Sequence, residues 1–352
     1  MNDQPARPTI HYPVNEGWLS THVEEAIEPE RPIIDPHHHL WDRGERYLFD
    51  ELRKDINTGH NILATVYLQC ASMYRADGDP AYVSLGETEF VNGVAAMSAS
   101  GTYGKLRACA GIVGHADLRM LGPGVEPVLE AHIRAGGGRF RGIRNSSVWD
   151  ADSSIITVPT PPPRGLLADA RFRQGFARLV KFGLSFDAWL YHTQIGELAS
   201  LARAFPDTTI VLDHVGGPIG IGTYKGRRAE VFETWRSAIQ DIARCPNVKV
   251  KLGGLGMKVM GFGFEEKERP PNSEELARAW QPYLETCIEA FGVDRAMFES
   301  NFPVDKQSCS YAVLWNAFKR FAASYSETEK HALFVGTASR VYLLVLDGAS
   351  MS

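Results

Sequence analysis

The sequence predicts an α/β protein, a (β/α)8 TIM barrel built as a single domain with lid loops over one end. Apolar, β-branched runs recur eight times along the chain, and a helical pattern follows most of them, which is the order of a barrel of parallel strands. The main competitor is a doubly wound open sheet. Its dinucleotide-binding form needs G-x-G-x-x-G directly after a strand, and the glycine cluster at 216–222 does not have that spacing.

The chain divides into a proline-rich and acidic N-terminal arm at 1–31, a barrel at 32–346 and a C-terminal tail at 347–352. The predicted strands cover 33–40, 62–69, 106–113, 140–145, 184–190, 209–214, 248–252 and 295–301. The predicted helices cover about 85–99, 125–135, 168–182, 194–205, 228–244, 274–291, 309–324 and 327–345. Two long connections, after strands four and seven, are expected to be the lids because loops of this length often serve function.

Composition limits the classes of partner. Of the 352 residues, 44% are hydrophobic and 22% are charged, which is typical of a globular protein. The net charge of −5 gives no reason to expect a nucleic-acid partner, and no apolar run approaches the roughly 20 residues that a membrane span needs. Five widely spaced cysteines without a C-x-x-C motif, and an N-terminus without a secretion signal, predict a cytoplasmic protein with free thiols.

The first predicted strand carries an unusual run of histidines. It reads Ile33-Ile-Asp35-Pro-His37-His38-His39. Because side chains alternate between the two faces of a strand, Asp35, His37 and His39 are expected on one face and His38 on the other. Two imidazoles two residues apart on one face can converge on one small ion or one substrate atom.

Polar side chains are also predicted where most of the other strands end. In barrels of this class the active site lies at the carboxyl ends of the strands, so closure of the barrel would bring these side chains together. In strand order they are Gln69, Arg144, His192, Asp213, His214, Lys251, Glu299 and Asn301.

Several motifs resemble the amidohydrolase superfamily, and in particular the amidohydrolase-2 group that includes sugar-lactone and 2-pyrone-4,6-dicarboxylate lactone hydrolases. The resemblance covers about residues 32–345. The matching motifs are Asp35-x-His37-x-His39-Leu-Trp-Asp42, Gly142-Ile-Arg144, Leu212-Asp-His214-Val-Gly-Gly-Pro218, Ser300-Asn-Phe-Pro303 and Gly336-Thr-Ala-Ser-Arg-Val-Tyr342.

The resemblance implies a site built from the first-strand histidines and a strand-six histidine, here His214. In metal-using members a further histidine comes from strand five and an Asp from the end of strand eight. This chain departs at both points, because no histidine precedes His192 on strand five and Asn301 stands in the position of the Asp. An amide does not accept a proton at neutral pH and is a weaker ligand than a carboxylate.

The candidate residues divide by role. His37 and His39 are the metal candidates, and two cases stay open: one divalent metal such as zinc, or a metal-independent site in which the imidazoles bind the substrate directly. His214 is the preferred general base, and Asn301 and Glu299 complete the catalytic candidates, with Glu299 expected to lie deeper in the barrel. The substrate-binding candidates are Arg144, Lys251, His192 and Gln69, although Lys251 also fits a purely structural ion pair.

The leading hypothesis is a hydrolase of a small cyclic ester, a lactone, in which water attacks the carbonyl at a histidine-rich barrel mouth. One alternative is a metal-dependent, non-oxidative decarboxylase of an aromatic or unsaturated acid, and another is a non-catalytic relative that binds a ligand. We expect a small-molecule substrate that is carboxylated or polyhydroxylated. The sequence leaves open whether the protein forms a homo-oligomer.

Overall fold

Eight parallel strands form the centre of the computed structural model, which describes residues 13–158 and 160–345. They are β1 (Pro32–His38), β2 (Asn61–Leu68), β3 (Arg107–Gly114), β4 (Phe140–Ser146), β5 (Ser185–Trp189), β6 (Ile210–Leu212), β7 (Val248–Leu252) and β8 (Ala296–Phe298). Each strand pairs in parallel with the next one along the chain. All eight predicted strands are therefore present, with ends shifted by three residues or fewer.

The sheet closes on itself between its first and last strands. Just beyond β8, Phe302 forms a parallel bridge with His38. The amide nitrogen of Asn301 donates to the carbonyl oxygen of His37 at 2.9 Å, and that of His39 donates to the carbonyl oxygen of Phe302 at 2.8 Å. This closure confirms the predicted (β/α)8 barrel and brings the end of β8 beside the histidines of β1.

Helices surround the barrel. They are α1 (Glu16–Leu19), α2 (Phe49–Ile56), α3 (Leu85–Ala99), α4 (Leu118–Leu121), α5 (Glu126–Ala135), α6 (Ala170–Phe176), α7 (Ile195–Ala204), α8 (Arg228–Ile242), α9 (Ser273–Phe291), α10 (Tyr311–Phe321), α11 (Glu327–His331) and α12 (Thr337–Val341). The helix predicted near 327–345 is interrupted by a π-helical turn, Ala332–Gly336, between α11 and α12. Its start is as predicted, with Ser326 and Glu329 forming a capping box.

Two apolar clusters hold the molecule together. The larger one lies between the strands and the surrounding helices. The smaller one joins the loops at the carboxyl ends of β4 to β7, and its buried members are Val148, Ile155, Trp189, Tyr191, Ile219, Met257, Val259 and Met260. The loops predicted as lids thus have a core of their own, which fixes them over the barrel mouth.

The described part of the N-terminal arm lies against the loops that follow β7 and β8. The indole nitrogen of Trp18 donates to the carbonyl oxygen of Lys267 at 3.0 Å, and Glu16 lies 2.7 Å from the ammonium of Lys306. Residues 1–12 of the arm and the tail at 347–352 lie outside the described residues. Among the helices that are described, we find none that combines the length and the apolar character needed to cross a membrane.

Candidate active site

The end of β1 places His37 and His39 side by side in the barrel mouth. Their rings meet edge to face at 4.9 Å between centroids, and their Nε2 atoms are 3.3 Å apart. His38 points away toward Thr65, as expected. Asp35 does not share the histidine face, because the pairing of β1 is irregular between Asp35 and His38. The Asp35 carboxylate accepts instead from Tyr311 and from the backbone nitrogen of Ser300, just after β8.

Hydrogen bonds fix the protonation pattern of two imidazoles. The Nδ1 atom of His39 lies 2.8 Å from the carbonyl oxygen of Leu68, so it carries the proton and leaves the Nε2 lone pair free. The Nδ1 atom of His214 lies 2.7 Å from Oε1 of Glu299, which selects the same tautomer. Burial, followed by the charge of Arg144, lowers the pKa of His39 well below its usual value, so the ring is neutral near pH 7.

His214 sits at a strained turn just after β6. The φ angles of His214 (55°) and Val215 (48°) both lie in the left-handed region. This conformation is unusual for the β-branched Val215. Gly254, on the loop after β7, lies so close that an added Cβ would come within 2.5 Å of the His214 ring. Trp189, the last residue of β5, packs edge to face against the same ring at 4.8 Å, so neighbours from β5 and from the loop after β7 hold the imidazole.

Glu299 joins the histidines of β1 and β6. Its side chain is fully buried, with Oε2 at 2.8 Å from Nδ1 of His37 and Oε1 at 2.7 Å from Nδ1 of His214. Burial alone would raise the pKa of Glu299, but the two imidazoles lower it below its usual value, so the carboxylate is ionised. Its contacts with the two rings are with their Nδ1 atoms and not with their Nε2 atoms.

Lys251 lies below this group in a buried ion-pair network. Its ammonium is 2.8 Å from Asp187 and 3.0 Å from Asp213, and it also lies 3.2 Å from Nδ1 of His37. The side chain is completely buried, and Tyr342 donates to Asp187 from below at 2.6 Å. This arrangement is the structural ion pair that the sequence also allowed.

Arg144 reaches the histidines from β4. Its Nη1 atom lies 3.3 Å from Nε2 of His37 and 3.9 Å from Asp213, while Nη2 donates to the carbonyl oxygen of Gln69. The Nε–H group has no hydrogen-bond partner among the described residues, although Arg144 is only 8% exposed. Gln69 is half-buried beside it, and its side-chain amide contacts Tyr74 at 3.3 Å.

Asn301 follows β8 and has a left-handed φ of 55°. Its amide Nδ2 donates to Oδ1 of Asp305 at 2.7 Å, and both side chains are buried. Burial raises the pKa of Asp305 to about 7. His192 is the one predicted site residue whose contacts lie elsewhere, because its Nδ1 atom faces the amide of Ile219 and its ring packs against Tyr224.

The donor atoms of this cluster fit a divalent metal ion. Two nitrogens at about 2.0–2.1 Å from one tetrahedral zinc are roughly 3.3–3.4 Å apart, and the Nε2 atoms of His37 and His39 are 3.3 Å apart. Donor atoms of His37, His214 and Glu299 also lie within 4.8 Å of one another. The guanidinium of Arg144 approaches the same Nε2 of His37, so an ion and Arg144 would compete for that lone pair.

Three buried residues of the site were not among the candidates named from the sequence. Asp187 and Tyr342 hold Lys251, and Asp305 holds Asn301. Asp187 could have been found, because it occupies the inward-facing position of the strand that lacks the expected histidine. Tyr342 comes from the chain terminus, and no pattern in the sequence predicts which strand it reaches.

Curated relatives match nearly the whole chain. A protein of Sinorhizobium fredii, y4mH, described as uncharacterized, is 36% identical over 328 residues, which cover 88% of this chain and 98% of the relative. An L-fucono-1,5-lactonase of Burkholderia multivorans is 28% identical over 320 residues, 88% of this chain and 96% of the relative.

Solved structures agree with these matches. An amidohydrolase from Burkholderia multivorans, crystallised once with bound HEPES and once with bound zinc, superposes with a TM-score of 0.69 at 26% identity, covering 90% of this chain and all of that one. The profile of the amidohydrolase family matches residues 34–344. The chain therefore belongs to the amidohydrolase family.

Proposed function

We propose that this protein hydrolyses a lactone at the mouth of its barrel. The observation that carries the proposal is the His214–Glu299 pair beside two converging imidazoles, His37 and His39. An imidazole whose Nδ1–H group is held by a buried carboxylate presents a basic Nε2 atom, which is the arrangement needed to take a proton from water. The lactonase relative at 28% identity supports the same reaction class.

The reaction needs one proton to move twice. In our proposal Nε2 of His214 accepts a proton as water attacks the carbonyl carbon of the lactone. Ionised Glu299 stabilises the imidazolium that forms, as a positioning residue that does not touch the substrate. The ring C–O bond then breaks, and His214 returns the proton to the departing alkoxide, which yields the hydroxy acid.

The carbonyl oxygen gains negative charge during the attack and must be stabilised. The Nη1 atom of Arg144 lies 3.3 Å from Nε2 of His37. In our proposal the carbonyl oxygen binds beside His37, so the guanidinium stabilises its negative charge. We further propose that His37 and His39 can hold one zinc ion through Nε2, which when bound supplies a Lewis acid for the carbonyl. The Nε–H group of Arg144, for which the described residues supply no acceptor, remains available for a second substrate oxygen.

Asn301 contributes an acceptor rather than a base. Its amide oxygen cannot take the proton, but it can accept a hydrogen bond from the attacking water and so orient it toward the carbonyl. In our proposal Gln69, whose carbonyl oxygen accepts from Arg144 and whose side chain is half-buried, binds the far end of the substrate. Roles for Lys251 and His192 in substrate binding stay predictions, and the buried contacts of both residues favour structural roles.

A lactone panel assayed by pH-stat tests the proposal. Suitable members are L-fucono-1,5-lactone, other sugar lactones and 2-pyrone-4,6-dicarboxylate, each compared with its spontaneous hydrolysis. We expect acid release from at least one of them, with a kcat/KM on the order of 10⁴ M⁻¹s⁻¹ or higher. Failure on the whole panel, together with CO2 release from an aromatic acid, would replace hydrolysis with decarboxylation.

A further inference from the structure

An amide side chain presents different chemistry at its two ends. The Nδ2 end of Asn301 donates to Asp305 at 2.7 Å, so Oδ1 is directed away from Asp305 and accepts no hydrogen bond from the residues that the structure describes. The backbone nitrogen of Asn301 donates to the carbonyl oxygen of His37, which brings residue 301 beside the first-strand histidines. Whatever selects the amide orientation therefore decides whether the site receives an oxygen or an N–H group.

The carboxylate of Asp305 is itself firmly held. Its Oδ2 atom accepts from the backbone nitrogen of Gly256 at 2.9 Å, and its own backbone nitrogen donates to the carbonyl oxygen of Asn301 at 3.2 Å. A Cβ on Gly256 would come within 2.9–3.1 Å of the Asp305 side chain, so this close approach depends on glycine. Ser308 donates to the carbonyl oxygen of the same glycine at 2.6 Å and completes the tie between the β7 and β8 loops.

We propose that Asp305 is a positioning residue that keeps the amide oxygen of Asn301 turned toward the reacting centre. The ionised carboxylate accepts hydrogen bonds and donates none, so with Asp305 ionised the reversed amide would set two oxygens against each other. Asp305 thereby makes residue 301 an acceptor for the attacking water. This step rests on the proposed lactone hydrolysis, while the orientation itself does not.

The variant Asp305→Asn separates orientation from packing. It keeps the size of the side chain, but the Gly256 N–H group still needs an oxygen acceptor at residue 305. An amide there therefore presents its NH2 end to Asn301 and favours the reversed Asn301 orientation. We expect kcat to fall about tenfold or more, a loss of roughly 1.4 kcal/mol in the transition state, with KM nearly unchanged. The assay is run near pH 8.5, above the raised pKa of Asp305 of about 7, so that the native carboxylate is ionised.

A reciprocal exchange is the rescue. In the double variant Asn301→Asp/Asp305→Asn the amide at 305 donates to the new carboxylate at 301, which again turns an oxygen toward the site. Asn301→Asp alone places two carboxylates in contact and should be worse than the double variant. Recovery of kcat in the exchange to within about threefold of native supports the proposal, and recovery of Tm without recovery of kcat overturns it. An unchanged kcat in Asp305→Asn overturns it as well.

A readout that needs no substrate keeps this test apart from that of the proposed function. In protein labelled with 15N-asparagine, the side-chain signals of Asn301 are identified by their loss in Asn301→Asp. We expect one slowly exchanging pair of Nδ2 protons in the native protein, held by Asp305. In Asp305→Asn the pair should shift and exchange faster, because Nδ2 of the reversed Asn301 no longer contacts residue 305. If the native protein hydrolyses no lactone but this change occurs, the orientation stands and the reaction is wrong. If Asp305→Asn leaves the signals unchanged, the orienting role is wrong whatever the reaction.

Discussion

The Nδ1 atom of His214 lies 2.7 Å from the Oε1 atom of Glu299, and both side chains are almost completely buried. The second carboxylate oxygen lies 2.8 Å from Nδ1 of His37. One acid on β8 thus orients imidazoles that come from β1 and from the end of β6. This relationship makes the histidines a single unit and explains why an acid is kept inside the barrel, where only paired charges are tolerated.

Replacing that acid should disable the site without unfolding it. Glu299→Gln keeps the shape but can present an N–H group to His214, which removes the preference for one tautomer. We expect kcat/KM to fall about 10–100-fold, the usual effect of removing a residue that orients a histidine. The measurement is steady-state lactone hydrolysis, with Asp55→Asn as a control, because Asp55 is a buried carboxylate bound to Lys306 away from the histidines. Equal effects of the two substitutions would contradict the orienting role.

Zinc binding should depend on the first-strand histidines. We expect the native protein to take up about one equivalent of zinc and His39→Asn to take up far less, because one of two converging Nε2 ligands is lost. Metal content after dialysis against zinc and gel filtration is the measurement. His192→Asn is the matched control, since His192 packs against Tyr224 instead. Equal zinc content in native protein and His39→Asn would remove His39 as a ligand.

Lys251 should matter more for stability than a surface lysine does. Lys251→Met leaves Asp187 and Asp213 buried without their cation, and breaking a buried pair in this way costs about 3–5 kcal/mol. Lys181→Met removes a surface pair with Glu126 and should cost far less, because exposed ion pairs contribute little to stability. Urea unfolding gives both values. A cost for Lys251→Met as small as that for Lys181→Met would show that the two buried acids do not need the Lys251 ammonium. Adding Asp187→Asn to Lys251→Met should recover part of the lost stability.

A buried histidine outside the site should lower the free energy of unfolding in mild acid. His132 is fully buried between Thr88 and Ser84, and burial lowers its pKa to about 4. The His132 side chain of the unfolded protein takes up a proton near pH 6.5, and that of the folded protein does not. The contribution of His132 to the free energy of unfolding is therefore constant above pH 6.5 and is lost as pH falls toward 4. Native protein should lose about 2 kcal/mol more than His132→Gln between pH 7.5 and pH 5.

The same unfolding series contains its own control. His331 is exposed, so His331→Gln should follow the native protein across the pH range. If His132→Gln loses as much stability as native protein between these two pH values, another group carries the acid sensitivity.

Local patterns predicted the fold because each strand and helix carries its own signal. The alternating pattern Val-Lys-Val-Lys-Leu at 248–252 predicted the bounds of β7, Val248–Leu252, and the capping box at Ser326 predicted the start of α11. The prediction failed where a distant contact decides the structure. Asp35 leaves the histidine face because Tyr311 and the backbone nitrogen of Ser300 bind its carboxylate, and neither residue lies near it in sequence.

The candidate site shows the same division. His37, His39 and His214 could be named from motifs, and barrel closure brings them together. The partner of each polar side chain could not be named, because strand ends predict proximity but not which atoms meet. Lys251 illustrates this, since only the structure shows that Asp187 and Asp213 bind its ammonium inside the barrel.

The most direct test of the account is the rate of lactone hydrolysis by His214→Asn beside native protein. His214 is the residue on which the proton transfers depend, and its ring centroid lies 4.5 Å from that of His37. We predict that the substitution lowers kcat by about 100-fold or more, within the range of general acid–base catalysis, while Tm stays within a few degrees. If native protein hydrolyses a lactone and the kcat of His214→Asn stays within about threefold of the native value, His214 is not the general base.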